Sequence, residues 1–286
     1  MTVRHFSDSP TSDLGIAGRI LVRKPDGSIT SQLVRIDRPV ARIPNLAIHM
    51  TSGTERDSFA PNLHDHCKAI LSMDPDLVTG ETLTNGLHPC LAHLIATECG
   101  IATDDIVDME LQLVDLQPSC LGGASDELLF SGRLDNLCSS YQCLRALIDS
   151  SKDAGGAHQR NIQMAMLFDH EEVGSNSAQG AGSSMFMDTL RRIDTALGGA
   201  PDSLLRALRK SYVVSIDMAH AHHPNYAHKH DPAMAPKINK GLVIKHNANQ
   251  RYATNAHSAV MFREFGTMAG VPMQEFSVRA DMGCGR

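Results

Sequence analysis

The sequence predicts an α/β fold in which a helix-covered sheet follows a β-rich region. From Ile16 to about Pro118, short apolar and β-branched runs dominate. From Ser119 onward, strand-like runs alternate with helical patterns, the arrangement of a sheet covered by helices. Acidic residues close two of those later runs, where ligands gather in open α/β sheets.

In the first region, Ile20-Leu21-Val22-Arg23 and Gln32-Leu33-Val34-Arg35-Ile36 read as strands. Asp26-Gly27 between them reads as the hairpin turn, because glycine reaches the positive φ that tight turns need. His88 to Cys99 has helical spacing at Leu91, Leu94 and Ile95, with Pro89 suited to the first turn and Gly100 to the C-terminal cap.

In the second region, Leu137, Leu144, Leu147 and Ile148 mark a helix, and so do Met185 to Leu197 and Ala256 to Met268. Ile162 to Phe168 reads as a buried strand, and Ser211 to Ile216 as a second short apolar run. The small-residue stretch Gly174 to Ser183 is either a flexible connector or a loop that lets a substrate backbone approach closely.

The chemistry lies in the acids. Asp169-His170-Glu171-Glu172 follows the first run, and adjacent carboxylates repel unless a cation sits between them. Successive side chains of an extended segment diverge, so one glutamate can bind a metal while its neighbour faces water as a general base. An acidic surface turn is the plainer alternative. Asp217 ends the second run and precedes a histidine-dense stretch containing His220, His222, His223, His228 and His230. Asp135 precedes a helix, where it suits either a helix N-terminus or a ligand role. Carboxylates and imidazoles at strand ends are what a two-zinc hydrolytic site requires.

Arg133-Leu134-Asp135-Asn136, Asp169-His170-Glu171-Glu172-Val173-Gly174-Ser175 and Asp217-Met218-Ala219-His220-Ala221, with His223-Pro224-Asn225-Tyr226, occur in one order. So do Arg42 to His49, Lys240-Gly241, Val243-Ile244-Lys245 and Gln250-Arg251-Tyr252-Ala253. This ordered set closely resembles the aspartyl aminopeptidases, a family of two-zinc exopeptidases. The resemblance implies the helix-covered mixed sheet of a di-zinc exopeptidase with a β-rich dimerisation domain over residues 16–118. Residues 119–286 would be an incomplete peptidase domain, and residues 1–15 its remnant or an irregular start.

Carried over residue by residue, the resemblance implies that Asp135 bridges two zinc ions, that Glu172 and Asp217 each bind one, and that Glu171 activates water. It places Lys245 and His220 in a substrate pocket, where a fixed cation suits an enzyme that removes N-terminal Asp or Glu from peptides. His49 resembles the family histidine that reaches into a neighbouring subunit, and a homo-oligomer is implied with it. The family takes two further zinc-binding histidines from segments before and after the stretch seen here. Met1 to Ser12 and Arg286 therefore read as the ends of a fragment, an alternative product or an incomplete gene. The alternative function is a non-catalytic truncated relative that assembles with full-length subunits.

Composition excludes other classes. A formal net charge of -6 and 4% aromatic content argue against nucleic acid, and there is no basic run with interleaved aromatics. The polar first residues, Met1 to Gly15, lack the core of a secretory signal, and no apolar stretch approaches a spanning helix, so no membrane association is expected. The 42% hydrophobic content can supply a sizeable core. Seven cysteines, Cys67, Cys90, Cys99, Cys120, Cys138, Cys143 and Cys284, contain no Cys-x-x-Cys pair and read as free thiols in a reducing, cytoplasmic compartment. No phosphate-loop or dinucleotide spacing is present.

Overall fold

Alternating apolar residues build the first strand, and its central position organises the first of two compact units, residues 1–132 and 133–286. In this computed structural model, residues 13–57, 60–74, 86–153, 161–279 and 281–282 are described. The expectations for Met1 to Ser12, Cys284 and Arg286 lie outside them.

β1 (Leu14–Arg23) pairs antiparallel with both β2 (Ile29–Ala41) and β3 (Ile106–Asp115), giving the order β2-β1-β3. Lys24 N donates to Ser28 O at 2.8 Å to close the hairpin, and Gly27 takes the positive φ of 82° expected of it. Ile16, Ile20 and Val22 share one face of β1, as period-two alternation requires, and are buried. They meet Val34 and Ile36 of β2, Ile106 of β3 and Ile95 and Ala96 of the helix above.

Two short helices, α1 (Gly53–Asp57) and α2 (Leu63–His66), precede that helix, α3 (Pro89–Cys99). Proline occupies the first turn of α3, the His88 side chain accepts from Cys90 N, and Gly100 ends it in the left-handed region at φ 66°. A small antiparallel pair, β4 (Cys120–Gly122) and β5 (Leu128–Phe130), completes the unit.

The second unit contains α4 (Leu134–Asp153), α5 (Met185–Ala196), α6 (Ser203–Arg209), β6 (Leu242–His246), α7 (Ala256–Ala269) and β7 (Met273–Ser277). β6 and β7 pair in parallel with α7 as the crossover, so both strand senses occur in the chain, in separate sheets. Asn255 and Ser258 form a reciprocal capping box at the start of α7. On α5, Asp194 accepts from Ser203 of α6 at 2.6 Å.

Two strand expectations need correction. Ile162 to Phe168 and Ser211 to Ile216 join no ladder among the described residues. Nor are they buried: Ile162 is 62% and Val213 73% exposed. An apolar run becomes a buried strand only when a neighbour pairs its backbone and covers its side chains, and run composition carries no information about the neighbour. Among the described residues no helix is long and apolar enough to cross a membrane, and Cys67, Cys90, Cys99, Cys120, Cys138 and Cys143 are free.

Ile95 is fully buried at 0% exposure, whereas Leu33 is 81% exposed. Ile95→Ala should lower the unfolding free energy by about 2–5 kcal/mol in urea denaturation. Leu33→Ala should change it by less than about 0.5 kcal/mol.

Candidate functional site

The acidic residues of interest reach one region of the second unit from three separate segments. Asp135 stands at the irregular start of α4, where Asp135 and Asn136 depart from helical angles and are joined by a cis peptide bond. Ser140 Oγ donates to Asn136 O at 2.9 Å where the helix becomes regular. Asn136 Nδ2 donates to Ile216 O at 2.8 Å, which fixes the residue immediately before Asp217 against the residue immediately after Asp135. Ser139, 5% exposed, turns its hydroxyl to Met218 Sδ at 3.6 Å and reinforces the same junction.

The other end of that apolar run is held as well. Tyr212 donates its hydroxyl to Ser258 O on α7 at 2.8 Å, and its ring meets Phe265 edge-on at 5.8 Å. Ser211 to Ile216 is thus tied at both ends by side chains although it joins no ladder among the described residues.

Glu171 and Glu172 sit in a turn closed by its own backbone. Gly174 N donates to Glu171 O and Ser175 N to His170 O, both at 2.9 Å, and Asp169 N donates to Gln179 O at 3.0 Å. His170 Nδ1 lies 2.6 Å from Ser177 Oγ. His170 and Ser175 both adopt left-handed φ, 60° and 62°, a conformation non-glycine residues reach at a cost of about 1–2 kcal/mol. The stretch Gly174 to Ser183 is accordingly a succession of hydrogen-bonded turns, with Gly182 N donating to Ser175 O at 3.0 Å.

The electrostatics report the convergence. Burial raises the Glu171 carboxyl above the ordinary glutamate range; Glu172, Asp217 and Asp135 raise it further, and Lys245 opposes them. Because such interactions fade with distance, Glu172, Asp217, Asp135 and Lys245 each lie within electrostatic reach of Glu171. Lys245 enters from β6, where its Nζ donates to Asp217 Oδ2 at 2.9 Å and to Met218 O at 2.7 Å. Its side chain is only 18% exposed, and the ammonium stands 5.7 Å from the centre of the Tyr252 ring.

His220 packs edge-on against Phe276 at 4.9 Å, and Phe276 is the register partner of Lys245 across the β6–β7 pair. His220 and His222 also lie 5.4 and 5.0 Å from the His230 ring, whose Nε2 accepts from His223 N at 3.0 Å. Burial, followed by these neighbouring imidazoles, lowers the His230 pKa. His49 belongs to the first unit, exposed on the single turn Ile48–Met50.

Carboxylate oxygens suit a divalent cation, and Asn136 Oδ1, next to Asp135, is buried without a hydrogen-bond partner among the described residues. Donor chemistry therefore fits zinc. The set is nonetheless open: among the described residues no three His, Cys, Asp or Glu side chains stand close enough together to hold an ion.

Sequence reasoning missed the supporting residues. Asn136 and Tyr252 lie inside motifs that carried the resemblance, so a signal existed for them. For Phe276 there was none, since only the strand register sets it beside Lys245.

Glu171 binds a proton more readily folded than unfolded, so the folded state should lose stability as pH rises from about 4.3, the ordinary glutamate value, through its raised pKa. Glu171→Gln should flatten that limb in urea denaturation followed against pH. Parallel wild-type and variant curves would refute the assignment.

Comparison with known proteins gives one consistent answer. The model of the aminopeptidase I zinc metalloprotease family (M18) matches residues 11–286. A probable aspartyl aminopeptidase of Ricinus communis is 43% identical over 96% of this chain and 61% of its own length. The cryo-EM structure of the Ape4 and Nbr1 complex contains a chain that is 38% identical, with a TM-score of 0.89 over 100% of this chain and 55% of that one. The S. cerevisiae mApe1 dodecamer is 25% identical, with a TM-score of 0.78 over 93% of this chain and 58% of its own. This chain thus spans about three-fifths of the length of the curated relatives it matches.

Proposed function

The chain belongs to the M18 family of aminopeptidase I zinc metalloproteases, and we propose that it carries the catalytic carboxylates of an aminopeptidase that removes N-terminal Asp or Glu from peptides. The convergence of Glu171, Glu172, Asp217 and Asp135 around Lys245 carries this reading. Asp135, Glu172 and Asp217 are the residues that would hold zinc. When bound, zinc supplies Lewis acidity to the scissile carbonyl and lowers the pKa of water.

The chain's own residues supply the rest. Glu171 is the general base, and the burial and neighbouring carboxylates that raise its pKa favour its taking a proton from water and returning it to the leaving amine. The hydrogen-bonded turn around it fixes the backbone from which the carboxylate projects. Lys245 is the group that pairs with the acidic side chain of the substrate, and His220 lines the same pocket.

Residues 16–118 would serve as a dimerisation domain in a cytoplasmic homo-oligomer, with His49 reaching a neighbouring subunit's site; the dodecameric mApe1 supports the oligomer. A second reading, a non-catalytic relative that assembles with full-length subunits, draws support from the open donor set.

Metal analysis of the purified chain beside hydrolysis of an aspartyl amide separates the two. Bound zinc with turnover supports the enzyme, whereas metal-free chain recovered in a larger assembly supports the second reading. For the enzyme, Glu171→Gln should lower kcat by at least about 10²-fold while zinc content stays unchanged. Asp135→Asn should lose the metal, and retained zinc in that variant would remove Asp135 from the ligand set.

A further inference from the structure

The histidine-dense stretch forms a loop that closes on itself. His222 N donates to Pro236 O at 2.8 Å and joins the two ends of residues 222–236, in the manner of a compact surface loop packed by its own side chains. Beyond that neck, Gln274 of β7 accepts from Lys237 N at 2.8 Å and donates to Lys237 O at 3.0 Å, so the far stem is fixed to the strand. Inside the loop, two imidazole nitrogens accept backbone protons: His223 Nδ1 from Asn225 N at 3.2 Å, and His230 Nε2 from His223 N at 3.0 Å. A ring nitrogen accepts only while it carries no proton of its own.

We propose that residues 222–236 are a pH-gated flap, held closed by neutral His223 and His230 and opened when these imidazoles are protonated. Protonation turns each acceptor into a donor that faces another N–H, so both bonds are lost. It also gathers charge. The His220 and His222 rings lie 5.4 and 5.0 Å from the His230 ring, and the His223 and His228 rings lie 4.9 and 6.3 Å from that of Tyr226. Burial, and then His220, His222 and His223, lower the His230 pKa, so the closed loop resists a proton that the open loop accepts. Closure is therefore fully favoured above about 6.5, the ordinary histidine value, and weakens as pH falls from there through the lowered pKa.

The surrounding acids are engaged elsewhere. Among the described residues none of His220, His222, His223, His228 and His230 is ion-paired with a carboxylate. Within the loop, the Asp231 carboxylate accepts from Ala233 N at 2.8 Å and Met234 N at 3.0 Å, and Lys229 adds a positive charge 5.3 Å from the centre of the Tyr226 ring. On the adjoining β6–β7 pair, Lys245 is held by Asp217, and Glu275 by Arg263 and His246. Arg279, beyond β7, pairs with Asp281 and lies within electrostatic reach of Asp231. The loop reaches this strand pair through His230 and His220, since the His220 ring meets Phe276, the register partner of Lys245. Use of the flap to control the access of acidic ligands to Lys245 rests on the placing of Lys245 in the substrate pocket; the opening itself does not.

Hydrogen exchange of the whole chain into heavy water, corrected for the intrinsic pH dependence of amide exchange, tests the flap. In wild type, protection of the amides of residues 223 and 225 should fall about tenfold between about pH 7.5 and about pH 5, the scale of one or two lost hydrogen bonds, while the amides of β1 keep theirs. Combining His223→Asn with His230→Gln keeps a side-chain acceptor at each position and removes both protonation sites, so protection in that variant should vary less than about twofold over the same range. Should the double variant not close at neutral pH, the imidazole signals of wild type in nuclear magnetic resonance decide, because the loss of protection must follow the titration of His223 and His230. Equal protection at the two pH values, an equal fall in a double variant that closes, or a simultaneous fall in β1 overturns the proposal. Hydrolysis of an aspartyl amide is measured separately, so failure of the flap and failure of the peptidase reading are told apart.

Discussion

The repulsion that Glu172, Asp217 and Asp135 exert on the Glu171 carboxylate is the constraint from which the organisation around it follows. Like charges brought together from separate segments drive those segments apart unless something fixes them or neutralises them. Both solutions are present. Lys245 lies against Asp217, and the Asn136–Ile216 and Ser139–Met218 contacts fasten the two segments that deliver Asp135 and Asp217. Each contact lies within a residue of an acid, so the fastening acts where the repulsion acts.

The glutamate turn solves a related problem by a different route. Two adjacent carboxylates on a freely moving loop would separate into solvent, which solvates each charge best. Backbone bonds from Gly174 and Ser175 to Glu171 and His170, together with the His170–Ser177 contact, close the turn and fix the backbone from which both acids project. The left-handed backbone at His170 and Ser175 is tolerated within that closed turn, in keeping with the tendency of uncommon conformations to collect at functional sites. The same proximity that leaves Glu171 ready to accept a proton makes the region receptive to a cation.

The two units differ in what stabilises them. The first rests on apolar burial, with Ile20, Ile36, Ile95 and Ile106 at 2% exposure or less and no chemistry at its centre. The second is held near its site by polar contacts, and apolar residues such as Leu137, Ile162 and Val213 remain exposed. A stability-oriented core and a charge-bearing pocket make opposite demands, since apolar packing lowers the dielectric and penalises unpaired carboxylates. Their separation in sequence lets each region meet one demand.

The order of elements was legible in the sequence because local rules govern it. Glycine at Gly27 and Gly100, proline at Pro89 and apolar spacing in the helices through Ile95, Leu144 and Ile193 act within a few residues and need no partner. The acids were legible for a related reason: Glu171 and Glu172 are anomalous as neighbours, and Asp135 and Asp217 stand in motifs of recognisable order. Tertiary structure alone decided which runs became strands, because pairing depends on a partner that Ile162 to Phe168 and Ser211 to Ile216 do not have among the described residues. It also decided that the Lys245 ammonium meets Asp217, 28 residues away in sequence, because the reach of a side chain across a fold is set by strand register and crossover, which spacing along the chain does not encode.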